Sequence, residues 1–200
     1  MKLNLVQFAG IDEIGALSKQ FGDEAVIVAK DFSERELNEF NSKKRKSRVK
    51  LFSCKILSKK DSKDIRKFRK LADFVGARGG SIEAHSWAAD QKLDLLLNPF
   101  SAHSTVFDLA TANTLAERNV FTCFLFTDFL NARGFEKSQL MKNASLSLKL
   151  LEKASAPVMF VSGANSRDEM RSARNLSSFG VLLGMKKENA IRAVDRKSVV

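Results

Sequence analysis

Residues 25–57 read AVIVAKDFSERELNEFNSKKRKSRVKLFSCKIL, and this segment sets the architecture that the sequence predicts. It opens with a short run that is apolar at every position, which is typical of a strand covered on both faces. Ser33 stands three residues before Glu36, a capping-box pattern that predicts a helix from Ser33 to Phe40. Val49–Leu57 is again mostly apolar and predicts a second strand. Strand, helix and strand in this order predict a βαβ unit and hence a parallel sheet.

The same alternation of short apolar runs and helix-period segments continues along the chain. Predicted strands occupy Leu3–Phe8, Ala25–Ala29, Val49–Leu57, Asp73–Ala77, Leu93–Leu97, Val120–Phe126 and Pro157–Val161. Predicted helices occupy Ile11–Phe21, Ser33–Phe40, Asp61–Leu71, Ser81–Asp90, His103–Arg118, Ser138–Lys153, Leu176–Leu183 with Gly184 as its C-cap, and Lys186–Val194. Strands that alternate with helices in this number predict an α/β fold, a TIM-like (β/α) barrel that forms a single domain over residues 1–200 and carries extra C-terminal helices.

The composition agrees with one folded domain. Of the 200 residues, 44% are hydrophobic and 28% are charged, so the chain can bury a core and is not disordered as a whole. Cys54 and Cys123 lie far apart in apolar segments, which excludes a disulfide scaffold, a CxxC redox motif and a zinc site. The sequence contains no transmembrane run of about 18 apolar residues and no signal-peptide pattern. It therefore predicts a cytoplasmic protein without membrane attachment.

The net charge of +11 is concentrated in residues 41–70. This segment holds 14 Lys or Arg residues against Asp61 and Asp64, whereas the other 170 residues carry 20 basic and 21 acidic side chains. A near-neutral body with one cationic region is typical of a protein that binds a polyanion. Residues 41–50 are predicted to form a basic loop.

We predict that cations of this region bind RNA phosphates, with an affinity that falls steeply as salt is added. The predicted contacts are Lys43, Lys44, Arg45, Lys46, Arg48, Arg66, Lys67, Arg69 and Lys70. Phe52 and Phe68 are predicted to lie in the core, which favours recognition of the RNA backbone over base stacking. The simpler alternative is a solvated, repulsive loop, but the charge excess extends into the following helix.

Two glycine-containing loops, Arg78–Gly80 and Ser162–Ser166, follow predicted strands and could bind phosphate beside a helix N-terminus. Glycine at such a turn more often serves only the backbone geometry. His85 and His103 form neither an HxH nor an HExxH pattern, so packing or capping roles are expected for them. The acids near strand ends form no recognisable dyad. The residues therefore predict no catalytic site and no metal site in this chain.

Five segments of the chain have an order and spacing that resemble a known family. They are 70–80 (KLADFVGARGG), 93–99 (LDLLLNP), 131–134 (NARG), 156–164 (APVMFVSGA) and 168–184 (DEMRSARNLSSFGVLLG). Together they resemble archaeal ribonuclease P protein component three, of the family that includes the human thirty-kilodalton subunit. The first 65 residues match less well, since Asn4 and Gln7 stand where the family often has an acidic first strand.

The resemblance implies a barrel related to the polymerase-and-histidinol-phosphatase (PHP) metal hydrolases but without their metal ligands. It implies a non-catalytic subunit of ribonuclease P, the ribonucleoprotein that removes the 5′ leader from precursor tRNA. Catalysis would belong to the RNA and its magnesium ions, and the protein would bind no cofactor. The implied partners are the ribonuclease P RNA, a smaller ferredoxin-like protein subunit in a heterotetramer, and precursor tRNA indirectly.

Further RNA contacts are predicted near strand and loop ends and in the C-terminal part of the chain. The first group is Arg78, Asn98, Arg133, Ser162 and Arg167. The second group is Arg171, Arg174, Lys186, Lys187, Arg192, Arg196 and Lys197. Two other functions remain open. One is a barrel hydrolase that acts on a phosphorylated small molecule at the Arg78 and Ser162 loops, and the other is a scaffold that binds proteins through an exposed helix.

Overall fold

The strands of this protein form a ring of parallel neighbours. The computed structural model describes residues 1–103 and 107–195. Within them, the strands are β1 (Leu3–Val6), β2 (Ala25–Lys30), β3 (Lys50–Leu57), β4 (Phe74–Arg78), β5 (Leu95–Leu97), β6 (Phe121–Leu125) and β7 (Val158–Val161). They lie in sequence order in one sheet, and each pairs in parallel with the next.

Helices cover the outer face of this sheet. They are α1 (Ile11–Phe21), α2 (Glu34–Lys44), α3 (Ile65–Leu71), α4 (Ile82–Asp90), α5 (Leu109–Glu117), α6 (Phe126–Asn131), α7 (Gly134–Lys153), α8 (Ala173–Leu182) and α9 (Lys187–Val194). Single-turn 3₁₀ helices lie at Lys59–Asp61 and Arg167–Glu169. Among the helices of the described residues, none is both long and apolar enough to cross a membrane.

The first and last strands meet at a seam, which closes the sheet at its carboxyl end. The Gly163 N–H donates to the Leu5 carbonyl at 2.8 Å, and the Gln7 N–H donates to the Ala164 carbonyl at 2.7 Å. Val6 and Ala164 form a single parallel bridge at the same place. The sheet is therefore a seven-stranded, nearly closed barrel, which confirms the predicted α/β, TIM-like fold.

Asn4 joins the two sides of this seam through its side chain. Its Oδ1 accepts a hydrogen bond from the Ser162 N–H at 2.9 Å, and its Nδ2 donates to the Arg171 carbonyl at 3.1 Å. Nδ2 also reaches a carboxylate oxygen of Asp23 at 3.2 Å. The Asn4 side chain is fully buried, so these partners replace the water that its amide would otherwise bind. The amide that distinguishes the first strand in the sequence thus helps to close the barrel.

The inside of the barrel is filled by apolar side chains from all around the ring. They include Leu5, Ile27, Leu97, Met159 and the two cysteines, Cys54 and Cys123. Both cysteines are free and fully buried, and burial raises the pKa of the Cys54 thiol well above its ordinary value. The interior is therefore a packed core, and the cysteines serve in it as small apolar residues.

A second core lies between the strands and the helices, and it explains the high phenylalanine content. Phe160 on β7 and Phe129 on α6 both pack against Phe179 on α8, with ring centroids 5.9 and 4.7 Å apart. Phe124 and Phe100 continue this chain of rings at 5.3 and 5.0 Å. Edge-to-face and tilted pairs of this kind add about 0.5–1.5 kcal/mol each to the burial of the rings. The sheet and its outer helices are held together by this layer.

Helix α2 is longer than its predicted span, and this changes the predicted basic loop of residues 41–50. The capping box at Ser33 and Glu36 is present, but the helix continues past Phe40 to Lys44. Lys43 and Lys44 therefore lie in its last turn, where cations interact favourably with the helix dipole. Because β3 begins at Lys50, the connection narrows to residues 45–49.

Other predicted helices have different starts. Helix α5 begins at Leu109, where the Asp108 side chain accepts the Thr111 N–H as an N-cap, and not at His103. Residues 104–106 of that prediction lie outside the described residues. Helix α7 begins four residues before Ser138, and the loop predicted at Ser162–Ser166 is followed by the 3₁₀ turn Arg167–Glu169. The prediction from Asp61 also divides into a 3₁₀ turn and α3.

The ends of the predicted strands also shift. The chain turns into α6 at Phe126 directly after β6, and β1 ends at Val6. At the C-terminal side, α8 ends at Leu182, with Leu183 as its cap. Gly184 follows in the left-handed conformation, φ +107°, and its N–H donates to the Val181 carbonyl. Gly184 therefore terminates the helix as predicted, but Leu183 is the C-cap and Gly184 is the residue that follows it.

Replacing Asn4 tests the seam. In Asn4→Ala the buried Ser162 N–H and the Arg171 carbonyl lose their side-chain partner. We expect the free energy of unfolding to fall by about 2–4 kcal/mol, since unsatisfied buried polar groups carry their full desolvation cost. Urea titration followed by circular dichroism measures this change, and Asn113→Ala, at an exposed position of α5, is the control. A loss below about 0.5 kcal/mol would contradict the role assigned to Asn4.

Replacing Asp23 tests the charge buried beside the seam. Burial raises the pKa of Asp23 to about 6, although the Asn4 hydrogen bond and the Lys2 charge both act to lower it. Because the folded protein binds this proton more tightly than the unfolded chain, the contribution of Asp23 to stability should fall as pH rises from about 4 to 6. Asp23→Asn lacks this titration and should be more stable by about 2–3 kcal/mol at pH 7. Urea titrations at pH 3.5, 5 and 7 should show this gain disappear at the lowest pH.

Candidate nucleic-acid interface

The cations predicted to bind RNA come together on one side of the barrel. Helix α2 ends at the amino edge of the sheet, β3 runs to the carboxyl edge, and α3 returns beside it. The Asn41 side chain donates to the Leu71 carbonyl at 2.7 Å, and Lys44 pairs with Asp73 next to the same turn. These contacts place the end of α2 against the end of α3. The two predicted clusters, 43–48 and 66–70, therefore belong to one surface.

Four of the fourteen cations of residues 41–70 are already paired with carboxylates. Each carboxylate comes from outside that segment. The pairs are Lys44–Asp73, Lys55–Asp31, Lys67–Glu34 and Arg69–Asp94. These four cations stabilise the fold through their ion pairs. Fewer cations are therefore available to a polyanion than the charge count indicates.

Two of these pairs show what the cations do inside the fold. Lys55 is buried on β3, where its ammonium lies 4.9 Å from the ring centre of Phe68 as well as beside Asp31. Arg69 donates to the last carbonyls of α4, those of Gln91 and Lys92, at 3.1 and 2.5 Å. Arg69 therefore caps the C-terminal end of a helix, a position that favours a cation.

The other ten cations of residues 41–70 are exposed and make no ion pair within the part of the chain that the structure describes. We call them the cationic band. They are Lys43, Arg45, Lys46, Arg48, Lys50, Lys59, Lys60, Lys63, Arg66 and Lys70. The band follows β3 from its amino end to its carboxyl end, a distance of roughly 25 Å for eight residues of strand. The cations are spread along this length and onto α3, which suits an extended polyanion better than a small anion.

Arg78 lies at the carboxyl end of β4. We call this end of the barrel, where the carboxyl ends of the strands meet, its mouth. The Arg78 guanidinium donates to the Gln7 side chain, and Gln7 in turn donates to the Gly163 carbonyl at 2.7 Å. On the other side of the mouth, the positive charge of Arg78 acts to lower the pKa of Asp128, but burial dominates and raises that pKa. The mouth is occupied by polar side chains that are bonded to one another.

Asn98 and Ser162, two of the predicted RNA contacts, serve the fold in this structure. Asn98 is buried, accepts the Leu125 N–H at 2.8 Å and donates to Asp128. Ser162 is fully buried, and its hydroxyl accepts the Arg171 N–H at 2.9 Å. Their side chains lie out of reach of a phosphate, because the short turns that follow β5 and β7 direct them inward. Their positions do not support the prediction made for them.

The remaining predicted contacts lie at two other places. Arg133 caps α7 and is exposed, and Arg167 lies on the 3₁₀ turn after β7. Arg171 donates to the carbonyls of Asp168 and Met170 and stacks at 5.6 Å over the Phe126 ring, so it supports its own turn. The exposed cations of α8 and α9 are Arg174, Lys186, Lys187 and Arg192, whereas Arg196 and Lys197 lie outside the described residues.

The strand order separates these C-terminal cations from the cationic band. Helices α8 and α9 pack on β7, whereas the band follows β3. Going round the ring, β7 is three strands from β3 in one direction and four in the other. The two groups of cations therefore lie on nearly opposite sides of the barrel, and one straight segment of nucleic acid cannot contact both.

The described residues contain no group of three or more His, Cys, Asp or Glu side chains that could hold a metal ion. His85 is buried, accepts the Gly80 N–H at 3.1 Å and packs edge-on against Phe107, which confirms the packing role expected for it.

The family can now be assigned from comparison with known proteins. A model of the family described as RNase P subunit p30 matches residues 18–199. The chain belongs to the RNase P subunit p30 family. This confirms the resemblance of the five segments and extends it to most of the N-terminal part of the chain. The alternative of a small-molecule hydrolase is not favoured by this match.

Curated relatives in the RNase P subunit p30 family carry a consistent name. Ribonuclease P protein component 3 of Thermococcus kodakarensis is 30% identical over 120 residues, which are 60% of this chain and 54% of the relative. The protein of the same name from Thermococcus gammatolerans is 26% identical over 175 residues, 84% of this chain and 82% of the relative. The chain spans about half the length of the first of these relatives.

Solved structures share the barrel. A chain of the cryo-EM structure of archaeal ribonuclease P with mature tRNA superposes with a TM-score of 0.82 and 19% identity, over 96% of this chain and 87% of that one. Molinate hydrolase superposes with a TM-score of 0.61 and 9% identity, over 92% of this chain and 63% of that one. At these identities the likeness establishes the fold alone.

Two sets of residues in this RNase P subunit p30 protein have roles that the sequence did not predict. Lys59 and Lys60 extend the cationic band to the carboxyl end of β3; the charge count of residues 41–70 includes them, but the predicted contacts do not. Asn4 and Gln7 close the barrel, and their only signal was their departure from the acidic first strand. Their partners, Ser162 and Gly163, lie more than 150 residues away, so no local pattern reveals the pairing.

Arg66 and Arg69 allow a matched comparison between a cation of the band and a cation that is paired within the fold. Both are on α3, but Arg69 bonds to the end of α4 and to Asp94, whereas Arg66 is in the cationic band. We expect Arg69→Ala to lower the free energy of unfolding by about 1 kcal/mol and Arg66→Ala to change it by less than about 0.5 kcal/mol. Urea unfolding of both variants measures the difference. Equal effects would contradict the division between paired cations and the band.

Proposed function

We propose that this chain is a non-catalytic protein subunit of ribonuclease P and supports the catalytic RNA that removes the 5′ leader from precursor tRNA. Membership of the RNase P subunit p30 family gives the assembly. The observation that carries the molecular role is the cationic band, ten exposed side chains on β3, on its flanking connections and on α2 and α3, without carboxylate partners in the described residues. Together they support an RNA-binding subunit whose contacts are made with phosphates.

The mode of binding follows from the kinds of side chain on this surface. Lysine and arginine release condensed counterions when they contact phosphates, and that release drives association at low salt. Phe52 and Phe68, the aromatic residues of this side, are partly buried and already contact Lys50 and Lys55. Bases therefore have no free aromatic ring on which to stack here. The band is suited to follow the backbone of a folded RNA and to recognise its shape.

In this proposal the RNA and its magnesium ions carry out the cleavage, and the chain binds no cofactor of its own. The arrangement at the barrel mouth supports this division. Arg78, Gln7 and Gly163 form a chain of hydrogen bonds there, and Asp128 is held by Asn98. These polar side chains of the mouth bond to one another and to the backbone. The chain contributes position and charge neutralisation to the assembly.

The partners and the cellular compartment of the chain are also part of this function. The chain would work with the ribonuclease P RNA and with a smaller ferredoxin-like protein subunit in a heterotetramer, and it would meet precursor tRNA only through this assembly. It would act in the cytoplasm, which follows from the expectation made from the sequence. Support for work within an assembly comes from the solved structure that shares this fold, which is an archaeal ribonuclease P with mature tRNA.

The salt dependence of RNA binding tests this role. The variant combines Lys43→Ala, Arg45→Ala, Lys46→Ala and Arg48→Ala, and the full chain is titrated with its ribonuclease P RNA at several salt concentrations. Each lost phosphate contact should flatten the slope of log affinity against log salt by about 0.7–0.9, so the four together should remove about three units.

A charge-matched control separates contact from net charge. It combines Lys137→Ala, Lys142→Ala, Lys149→Ala and Lys153→Ala, four exposed lysines of α7 that lie outside the cationic band and are not among the predicted RNA contacts. We expect this control to change the slope by less than about one unit. If the band variant keeps the wild-type slope, or if both variants lose it equally, the cationic band is not the RNA-binding surface.

A further inference from the structure

A groove runs beside the seam of the barrel, on the side away from the cationic band. It encloses about 670 Å³ between α1 on one side and α8 and α9 on the other. The chain crosses back over the sheet with a helix between most neighbouring strands, but β7 and β1 are not consecutive. Helices α8 and α9 both pack on β7 and against each other. The outer face of the seam is therefore left as a groove with no helix along it in the described residues.

The walls of this groove have the surface of a helix-binding site. Ala173, Ser177 and Val181 follow one another at four-residue spacing on α8, so short side chains line one face of that helix. Ile191 and Val194 line the facing side of α9, and the former is 49% exposed. Short side chains allow a neighbouring helix to approach closely, since the distance between packed helix axes depends on the residues at the contact.

The rim of the groove is positively charged. Lys2, Arg174 and Lys187 line it and make no ion pair within the described residues. The carboxylate of the rim, Asp195, is already bound to the amino group of Met1. Phe21, Val181, Ile191 and Val194 make the lining of the groove more apolar than polar, and Ser172, Ser177 and Ser178 add hydroxyl groups. A largely apolar lining with a cationic rim is complementary to an amphipathic helix whose apolar ridge is flanked by Asp or Glu.

We propose that the seam groove binds an amphipathic, acid-flanked helix of a protein subunit in the same ribonucleoprotein. The inference rests on the proposed function in one respect, namely that the chain works in an assembly with other protein subunits. It does not depend on the cationic band. The chain would then use two opposite sides of the barrel for two kinds of partner, a helix at the seam and RNA phosphates along β3.

A photo-crosslink from the groove tests this assignment. A benzoylphenylalanine in place of Ser178, an exposed residue of the groove, is placed in the full chain, and the particle is assembled with its RNA and protein subunits. We expect an adduct with a peptide of a protein subunit that is helical, amphipathic and flanked by acids. The same crosslinker at Ser138, on α7, should give no adduct with that peptide.

Substitutions in the groove test the chemistry of binding. Val181→Lys should lower the adduct yield at least tenfold, because it places a charge on the apolar wall. Leu146→Lys is the control, since Leu146 is an exposed apolar residue of α7 with similar exposure, 42% against 44% for Val181. Arg174→Glu reverses a charge on the exposed rim without touching the core, and it too should lower the yield while thermal unfolding stays unchanged.

Several outcomes would overturn the inference. An adduct with RNA, with a second copy of this chain or with other residues of this chain would identify a different occupant of the groove. An adduct whose yield is the same in Val181→Lys, Arg174→Glu and Leu146→Lys would show that the groove does not hold the partner. If the particle assembles, shows the salt dependence due to the band and gives no protein adduct, the groove inference fails while the proposed function stands.

Discussion

The closure of the ring between β1 and β7 is the constraint on which the rest of this structure depends. Six strand pairs form regular parallel ladders, but the seventh contact is a short one made by Leu5, Gln7, Gly163 and Ala164. The buried amide of Asn4 adds side-chain bonds to both strands. Closure encloses the apolar interior, orders the turns that hold Arg78 and Ser162, and sends β3 and β7 to opposite sides. The positions of both proposed interfaces follow from this geometry.

Electrostatic pairing then decides which cations remain for a partner. The acids Asp31, Glu34, Asp73 and Asp94 all lie outside the basic segment, and each is bound to one cation from it. Paired and capping cations stabilise the contacts among α2, α3 and α4, whereas the exposed remainder repel one another at low salt. A polyanion relieves that repulsion when it binds. The same segment thus contributes both to folding and to recognition, through different residues.

The sequence allowed the fold to be predicted because the signals are local. Runs such as Ala25–Ala29 are apolar at every position, and Ser33 and Glu36 form a capping box only three residues apart. The end of α2 was missed because polar residues after Phe40 continue the helix without an apolar stripe. The roles of Asn98 and Ser162 could not be predicted, since each depends on partners brought together only by strand pairing. The count of charged residues located the basic segment, but the structure is needed to identify which of its cations pair with carboxylates.

The short seam also has a dynamic consequence. A ring with six full ladders and one brief contact has a preferred place at which it can open while the other strands remain paired. Cooperative substructures of unequal stability are common in proteins, and amide hydrogen exchange detects them. Here the backbone amides of Gln7 and Gly163 donate the hydrogen bonds between β1 and β7, so their exchange rates report the opening of this contact. A partner bound in the groove beside the β1–β7 contact would slow the opening of that contact. Binding at this one place would then reduce the local opening of the whole barrel.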